Sequence, residues 1–315
     1  MGILIYEEAQ KSAIWGLTDL FLFCHKVALS SAAYSGDLPK ISHWKWDHKE
    51  NRPLKVYDSS PADVSQPAVM IIPPSLDEPD FSANADKYNS WLRQLQNGGC
   101  ILASVCAGAF LLAETGLLNG RKVTTHWMYA DAFSRRFPLT ELDIDSLIID
   151  GGDIITAGGA FSWTDLGLRL IDRFFGAALM LDTAKMVLID PPGRQQSLYT
   201  MFTPKENHGD KQVLKVQRWL SNHYRHDVAQ TELATIAGLA PRTFLRRFKK
   251  ATGYTPTEYC QRLRISHGRY LLETTRDPVD KIAWEVGYAD HTAFRRLFLR
   301  YVGLVPGEYR NKFKI

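Results

Sequence analysis

The sequence predicts two domains of different class. One is an open, mainly parallel α/β sheet sandwiched by helices; the other is all-helical and holds two helix-turn-helix motifs. Three observations predict this. Short apolar runs alternate with amphipathic segments from Gly2 to Leu188, as in a parallel sheet with crossover helices. One pattern occurs twice between Leu233 and Tyr309. Charge is also divided: residues 211–315 hold twenty Lys+Arg against nine Asp+Glu, a charge of +11, which leaves the remainder at −7 within a total of +4. A basic tail on an acidic body fits a DNA-binding module attached to something else.

The α/β elements follow in order. Gly2–Tyr6 reads as a buried parallel strand and Ala13–Val27 as a helix with Ile14, Leu17, Phe21 and Cys24 or His25 near one stripe. Residues 42–57, with His43, Trp44, Trp46 and His48, read as strand and loop; two histidines five apart without a third ligand give no metal site. Ala68–Ile72, Cys100–Val105 and Val123–Thr125 are expected strands, and Ser90–Gln96, Gly108–Thr115 and Ala130–Arg136 expected helices. Ser146–Asp150 and Ile154–Ala157 are strands joined by a Gly151-Gly152 hairpin turn, followed by helices over Phe161–Phe174 and Leu179–Leu188. The first domain is therefore placed at 1–189. The polar, turn-forming segment 190–210 is placed as a linker, and 211–315 as the second domain.

The second domain opens with an amphipathic helix over Lys211–Tyr224, where Val213, Val216, Trp219 and Leu220 share a stripe. The repeat then begins. Gly238 pairs with Gly287 at an offset of 49; Phe244, Phe248, Gly253, Pro256 and Tyr259 pair with Phe294, Phe298, Gly303, Pro306 and Tyr309 at 50. One extra residue therefore lies in the second turn. Gly238 stops a short helix, since glycine takes the left-handed conformation freely, and Pro241 suits the first turn of the next. The phenylalanines face inward. Arg242, Thr243, Arg246 and Arg247 in one copy, and His291, Thr292, Arg295 and Arg296 in the other, face elsewhere, as major-groove readers would. A helix over Thr257–Leu272 bridges the copies; its Arg262, Arg264 and Arg269 either reach phosphates or are merely solvated.

The stretch SVCAGAFLLAETGLL sets Cys106 between a strand and a helix, with Gly108 two residues on, the geometry of a nucleophile elbow at the carboxyl end of a sheet. His126 follows the next strand. Gly158-Gly159 and Trp163 are expected in a loop over the same sheet end. Three readings of Cys106 compete: a residue of a ligand pocket with Ala107, His126 and Trp163, a small hydrophobe at a tight turn, or a catalytic or redox nucleophile. Asp145 and Asp165 are candidate orienters of His126, and spacing does not choose between them.

Two resemblances arise from these residues. AGLAPRTFLRRF, GYTPTEY, KIAWEVGYADHTAFRRLF and GLVPGEYR resemble the AraC family of transcription regulators over roughly the last hundred residues. SVCAGAFLLAETGLLNGRKVTTHW resembles the DJ-1/PfpI branch of the class I glutamine amidotransferase-like fold, a flavodoxin-like sheet, in the version fused to AraC-type domains. The second resemblance puts Cys106 at the reactive-cysteine position and His126 at the adjacent histidine. It departs at the first helix, where Ala13 stands in place of the glutamate that bonds the cysteine.

These readings lead to a sequence-specific DNA-binding regulator whose first domain senses a small metabolite. The resemblance implies a nitrogenous one, such as an amino acid or betaine, and RNA polymerase as a further partner. A homodimer is expected, because paired sites favour two linked binding events. The alternatives are a cysteine amidase or hydrolase using Cys106 and His126, or a thiol redox sensor. No cofactor or metal is expected. Cys24, Cys100, Cys106 and Cys260 show no CxxC spacing and fit a reducing compartment. The amino-terminal EEAQK is unlike a secretory signal, and no apolar run is expected to reach the ~18 residues of a membrane span, so the cytoplasm is the expected location.

Overall fold

The computed structural model describes residues 1–30, 34, 36–61, 65–77, 85–193, 195–200, 202–206 and 208–314. The chain divides into two compact units, Met1–Gln196 and Ser197–Ile315.

The first unit runs β1 (Gly2–Ile5), α1 (Lys11–Ser30), β2 (Ser42–Asp47), β3 (Arg52–Asp58), β4 (Val69–Ile72), α2 (Ala85–Asn97), β5 (Ile101–Val105), α3 (Gly108–Glu114), β6 (Lys122–Val123), α4 (Ala130–Arg136), β7 (Glu141–Leu142), β8 (Ile148–Asp150), β9 (Ile154–Ala157), α5 (Trp163–Phe175) and α6 (Ala177–Val187). Seven strands form one sheet in the order β3-β2-β1-β4-β5-β9-β8. The five central strands are parallel, with Gly2 opposite Ser42 and Met70, and Leu102 opposite Ile154. Only the edges, β3 and β8, run antiparallel. β4 and β9 are buried along their whole length, which is why they read as unbroken apolar runs.

Three expectations change here. Residues 42–57 form a β2–β3 hairpin rather than a strand and loop. β6 lies outside the main sheet and pairs with β7; the strand ends at Val123, and the next amide, of Thr124, donates to the Thr156 side chain and not to a backbone carbonyl. And α1 is, by length and composition, apolar enough to cross a membrane. Its Ile14, Leu17, Phe21 and Cys24 stripe is instead buried in the first unit's core. Glycines let α5 press on α1: a Cβ at Gly16 would lie 2.3 Å from the Trp163 ring, and one at Gly167 would lie 2.5 Å from Leu20.

The second unit is helical: α7 (Lys211–His223), α8 (Gln230–Ala237), α9 (Pro241–Thr252), α10 (Pro256–Thr274), α11 (Val279–Glu285), α12 (His291–Val302) and α13 (Pro306–Phe313). Phe244, Phe248, Phe294 and Phe298 are fully buried in its core; each such ring contributes about 1.5–3 kcal/mol. Gly238, Gly253 and Gly303 close α8, α9 and α12 in the left-handed region. A capping box between Thr255 and Glu258 starts α10. In the second turn Tyr288 is buried in the core, while Gly287 (φ +93°) sits so tight that a Cβ would lie 2.3 Å from the Arg225 carbonyl oxygen.

The segment 190–210, expected as a linker, is largely built into the units. Arg194, Met201 and Asn207 fall outside the described residues. Gln196 is buried in the first unit and Leu198 in the second. Phe202 packs on Tyr254 and Tyr259, and His208 bonds the Gln217 side chain at 2.6 Å.

Candidate functional site

At the carboxyl end of β5 the chain turns sharply. Cys106 takes φ +54°, a left-handed conformation that a side chain rarely adopts and that is often found where function fixes the backbone. Its amide donates to the Ala157 carbonyl at 2.8 Å, and its carbonyl accepts from the Thr125 hydroxyl at 2.7 Å. Ala107 follows, fully buried, and α3 begins at Gly108. Only glycine fits there, since a Cβ would lie 2.6 Å from the carbonyl oxygens of both Ile72 and Pro73. The Tyr6 hydroxyl donates to the same Pro73 carbonyl at 2.6 Å, and the Gln10 amide donates to Pro74 at 2.8 Å. Thus β5 delivers Cys106, and the loop after β1 delivers Tyr6 and Gln10, to the sheet end where Pro73 and Pro74 follow β4.

Burial governs the electrostatics of this end and favours the neutral form of its groups. Burial pushes the Cys106 thiol up to about 12, against a smaller downward pull from the Ala107 amide. Burial, then the nearby Cys106, push Tyr6 well above its ordinary 10.0. Burial lowers the His126 pKa. His126 Nδ1 accepts from the Met128 amide at 3.1 Å, which puts its proton on Nε2 when neutral. Its other described partners are the Trp127 and Tyr129 rings. The Cys106–His126 hydrogen bond that the hydrolase alternative needs is not formed among the described residues; of its two candidate orienters, Asp165 is buried in the first turn of α5 and accepts from the Thr164 hydroxyl at 3.2 Å, and the Asp145 carbonyl accepts from the Gln196 amide. Thiol redox sensing is favoured by a depressed thiol pKa, and burial shifts Cys106 the other way. Trp163 lies over Gly16 on α1, with its indole N–H buried and no acceptor among the described residues. The Gln10 Oε1 is also buried without a partner. No group of three His, Cys, Asp or Glu side chains gathers as metal ligands among the described residues.

In the second unit α8–α9 and α11–α12 are the two helix-turn-helix pairs that the repeat predicts. Two family models match the chain: the DJ-1/PfpI family over residues 53–173, and a helix-turn-helix domain over 233–312. The HTH-type transcriptional regulator GlxA of Rhizobium meliloti is 27% identical over 238 residues, 75% of this chain and 72% of that protein. The HTH-type transcriptional regulator CdhR of Pseudomonas aeruginosa is 28% identical over 221 residues, 70% of this chain and 66% of that protein. The crystal structure of Drosophila melanogaster DJ-1beta is 14% identical, covers 60% of this chain and 97% of its own, and has a TM-score of 0.44. The chain joins a DJ-1/PfpI domain to an AraC-type helix-turn-helix domain.

Within the AraC-type domain the arginines sort into two groups. Arg242 and Arg246 on α9 and Arg296 on α12 are exposed and make no described hydrogen bond or ion pair. Thr243 is half-buried beside them, and His291 and Thr292 are exposed at the start of α12, whose Asp290 cap accepts the Thr292 amide at 2.8 Å. Arg295 is exposed and pairs with Asp280 at 3.0 Å, a contact weak enough to exchange. Arg247 is different and corrects the expectation. It grips Asp210 in a bidentate pair, 2.8 and 2.7 Å, and Gln212 at 2.8 Å, fastening α9 to the start of α7. The three arginines of α10 are internal as well. Arg264 donates to the carbonyls of Tyr224, His226 and Gly287. Arg262 lies between the Tyr254 and Tyr301 rings at 4.6 and 4.7 Å. Arg269 donates to the Tyr309 hydroxyl and to the Leu198 carbonyl. Sequence reading missed Tyr6 and Gln196; the polar end of an apolar strand pointed weakly to the first, and nothing local pointed to the second.

Proposed function

We propose that this DNA-binding transcriptional regulator reads its operator through Arg246 and Arg296, and is controlled by a small nitrogen-containing molecule held at the Cys106 end of the sheet. The observation that carries the first part is the register of the two copies. Arg246 and Arg296 occupy the same position, both exposed and both without a hydrogen bond or ion pair among the described residues. An arginine so placed on the second helix of such a motif suits a bidentate contact to a guanine edge. Arg242, Thr243, His291, Thr292 and Arg295 flank them as base or phosphate contacts. The second part is supported by the neutral thiol, by Ala107 and His126 on the chain just after β5 and β6, and by two buried groups without a partner among the described residues: the Trp163 indole N–H at the start of α5 and the Gln10 Oε1, which would accept an N–H donor. Such a protein works in the cytoplasm, as a homodimer, alongside RNA polymerase.

The test is fluorescence anisotropy on duplexes selected from a random pool. Arg246→Ala and Arg296→Ala should each lose about 1–3 kcal/mol of specific binding and relax preference at separate base positions. Unchanged affinity and preference in both would refute the assignment. A hydrolase or redox reading instead needs a reactive thiolate. With the thiol near 12, alkylation of Cys106 by iodoacetamide at pH 8 should be roughly a thousandfold slower than for an exposed cysteine, from thiolate fraction alone. Fast, selective labelling of Cys106 would favour the nucleophile.

A further inference from the structure

We propose that Gln196 and Arg269 are the two anchors by which the state of the effector site reaches the helix-turn-helix pair, through the peptide bond that joins Gln196 to Ser197. This rests on the sensor reading and supplies its route of regulation.

On the first unit's side Gln196 is only 2% exposed. Its amide donates to Asp145, and its Nε2 donates to the carbonyls of Thr125 at 3.1 Å and Ile144 at 2.8 Å. Its Oε1 accepts from the Trp127 amide at 3.3 Å. The side chain also lies on Gly158, where a Cβ would come within 2.7 Å of it. These are the loops of the effector site. Thr125 bonds the Cys106 carbonyl, Trp127 follows His126, and Gly158 follows Ala157, which holds the Cys106 amide.

On the second unit's side the next residues are held at once. Arg269 of α10 donates to the carbonyls of Ser197, Leu198 and Thr200, and through Nε to the Tyr309 hydroxyl of α13. The Ser197 hydroxyl donates to the Val302 carbonyl at the end of α12. Arg269 thus ties the incoming chain to the helix that bridges the two copies and to the second copy itself.

The physical point is slack. From Gln196 to Leu198 the chain spans at most about 7 Å fully extended. A free tether the length of 190–210 would have an end-to-end distance of roughly 25 Å and would absorb any local movement. With anchors this close, a displacement of the 125–127 loop either breaks the bonds of a buried amide or is passed to residues 197–200.

The experiment is hydrogen–deuterium exchange on the full chain, with Gly158→Ala as a wedge under Gln196. Exchange at the amides of 197–200 and of α13 should change about fivefold, the scale of losing one or two hydrogen bonds. Inserting Gly-Ser-Gly-Ser between Gln196 and Ser197 should abolish that change while the 124–127 and 144–146 amides still respond. A wedge felt at 124–127 but not at 197–200 or α13 overturns the proposal, as does transmission that survives the insertion. Should Gly158→Ala fail to fold, Gln196→Ala, which removes the anchor without a clash, is read by the same amides and the same insertion. No small molecule enters either arm. A chain that transmits the wedge yet shows no thermal shift with any amino acid, betaine or polyamine would sink the sensor reading alone.

Discussion

The two helix-turn-helix copies are alike inside and different outside. Phe244 and Phe248 are matched by Phe294 and Phe298, all fully buried; Tyr259 and Tyr309 are each 1% exposed. Both tyrosines are pushed up to about 12, chiefly by burial, but they are wired differently: Tyr259 accepts from Gln217, and Tyr309 is joined to Arg269 and Glu273. On the surface, Arg246 and Arg296 correspond, whereas Arg247 faces Leu297 in register and Lys249 faces Leu299. Buried positions fix how a helix is presented to DNA, so they recur. Exposed positions choose which bases and phosphates a helix can meet, so nothing in the packing stops two copies from diverging there.

The comparison is sharpest at the paired glycines. Both Gly238 and Gly287 have positive φ, but a Cβ on Gly238 meets nothing within 4 Å, while one on Gly287 meets a backbone carbonyl at 2.3 Å. Gly238→Ala should cost about 1–2 kcal/mol of stability, from the left-handed conformation alone. Gly287→Ala should cost about 3 kcal/mol or more, because overpacking against backbone is added. Equal denaturant midpoints for the two variants would break the distinction. Next come the arginines in register, whose loss is expected in binding and base preference and not in stability. The smallest effect belongs to Arg247. Its hydrogen bonds hold the Asp210 carboxyl below the ordinary 3.8, with burial opposing. A depressed folded-state pKa means the pair stabilises the fold above that value and ceases to as pH falls through and below it. Arg247→Ala should therefore lower the melting midpoint slightly at neutral pH, converge with the wild type in acid, and leave base preference intact. Altered base preference would return Arg247 to the reading face.

The fold was legible because its signals are local. Unbroken apolar runs announced β4, β5 and β9, and the repeat announced α8 to α12 without reference to anything distant. The elbow at Cys106 was legible for the same reason, since strand, cysteine, glycine and helix follow one another directly. What was not legible depends on partners far apart in the chain. Arg247 finds Asp210 across 37 residues, Arg269 finds Leu198 across 71, and Gln196 finds Thr125 across the same span. Basic residues on a helix carry no mark that separates those meeting DNA from those fastening a turn. The state of the thiol was hidden too, because burial, which raises its pKa, is a property of the packed sheet end and not of the motif.

The second copy is built around a piece of chain that precedes the first. Gly287 presses on the Arg225 carbonyl, and Arg264 fastens Tyr224, His226 and Gly287 to the bridging helix together. The two motifs are therefore not interchangeable cassettes. Residues 279–313 grafted elsewhere would arrive without their floor, whereas the copy at 230–259 uses its own glycine only as a helix stop. An engineer seeking to respecify this regulator would do better to repaint the outward positions of α12 than to exchange the motif whole.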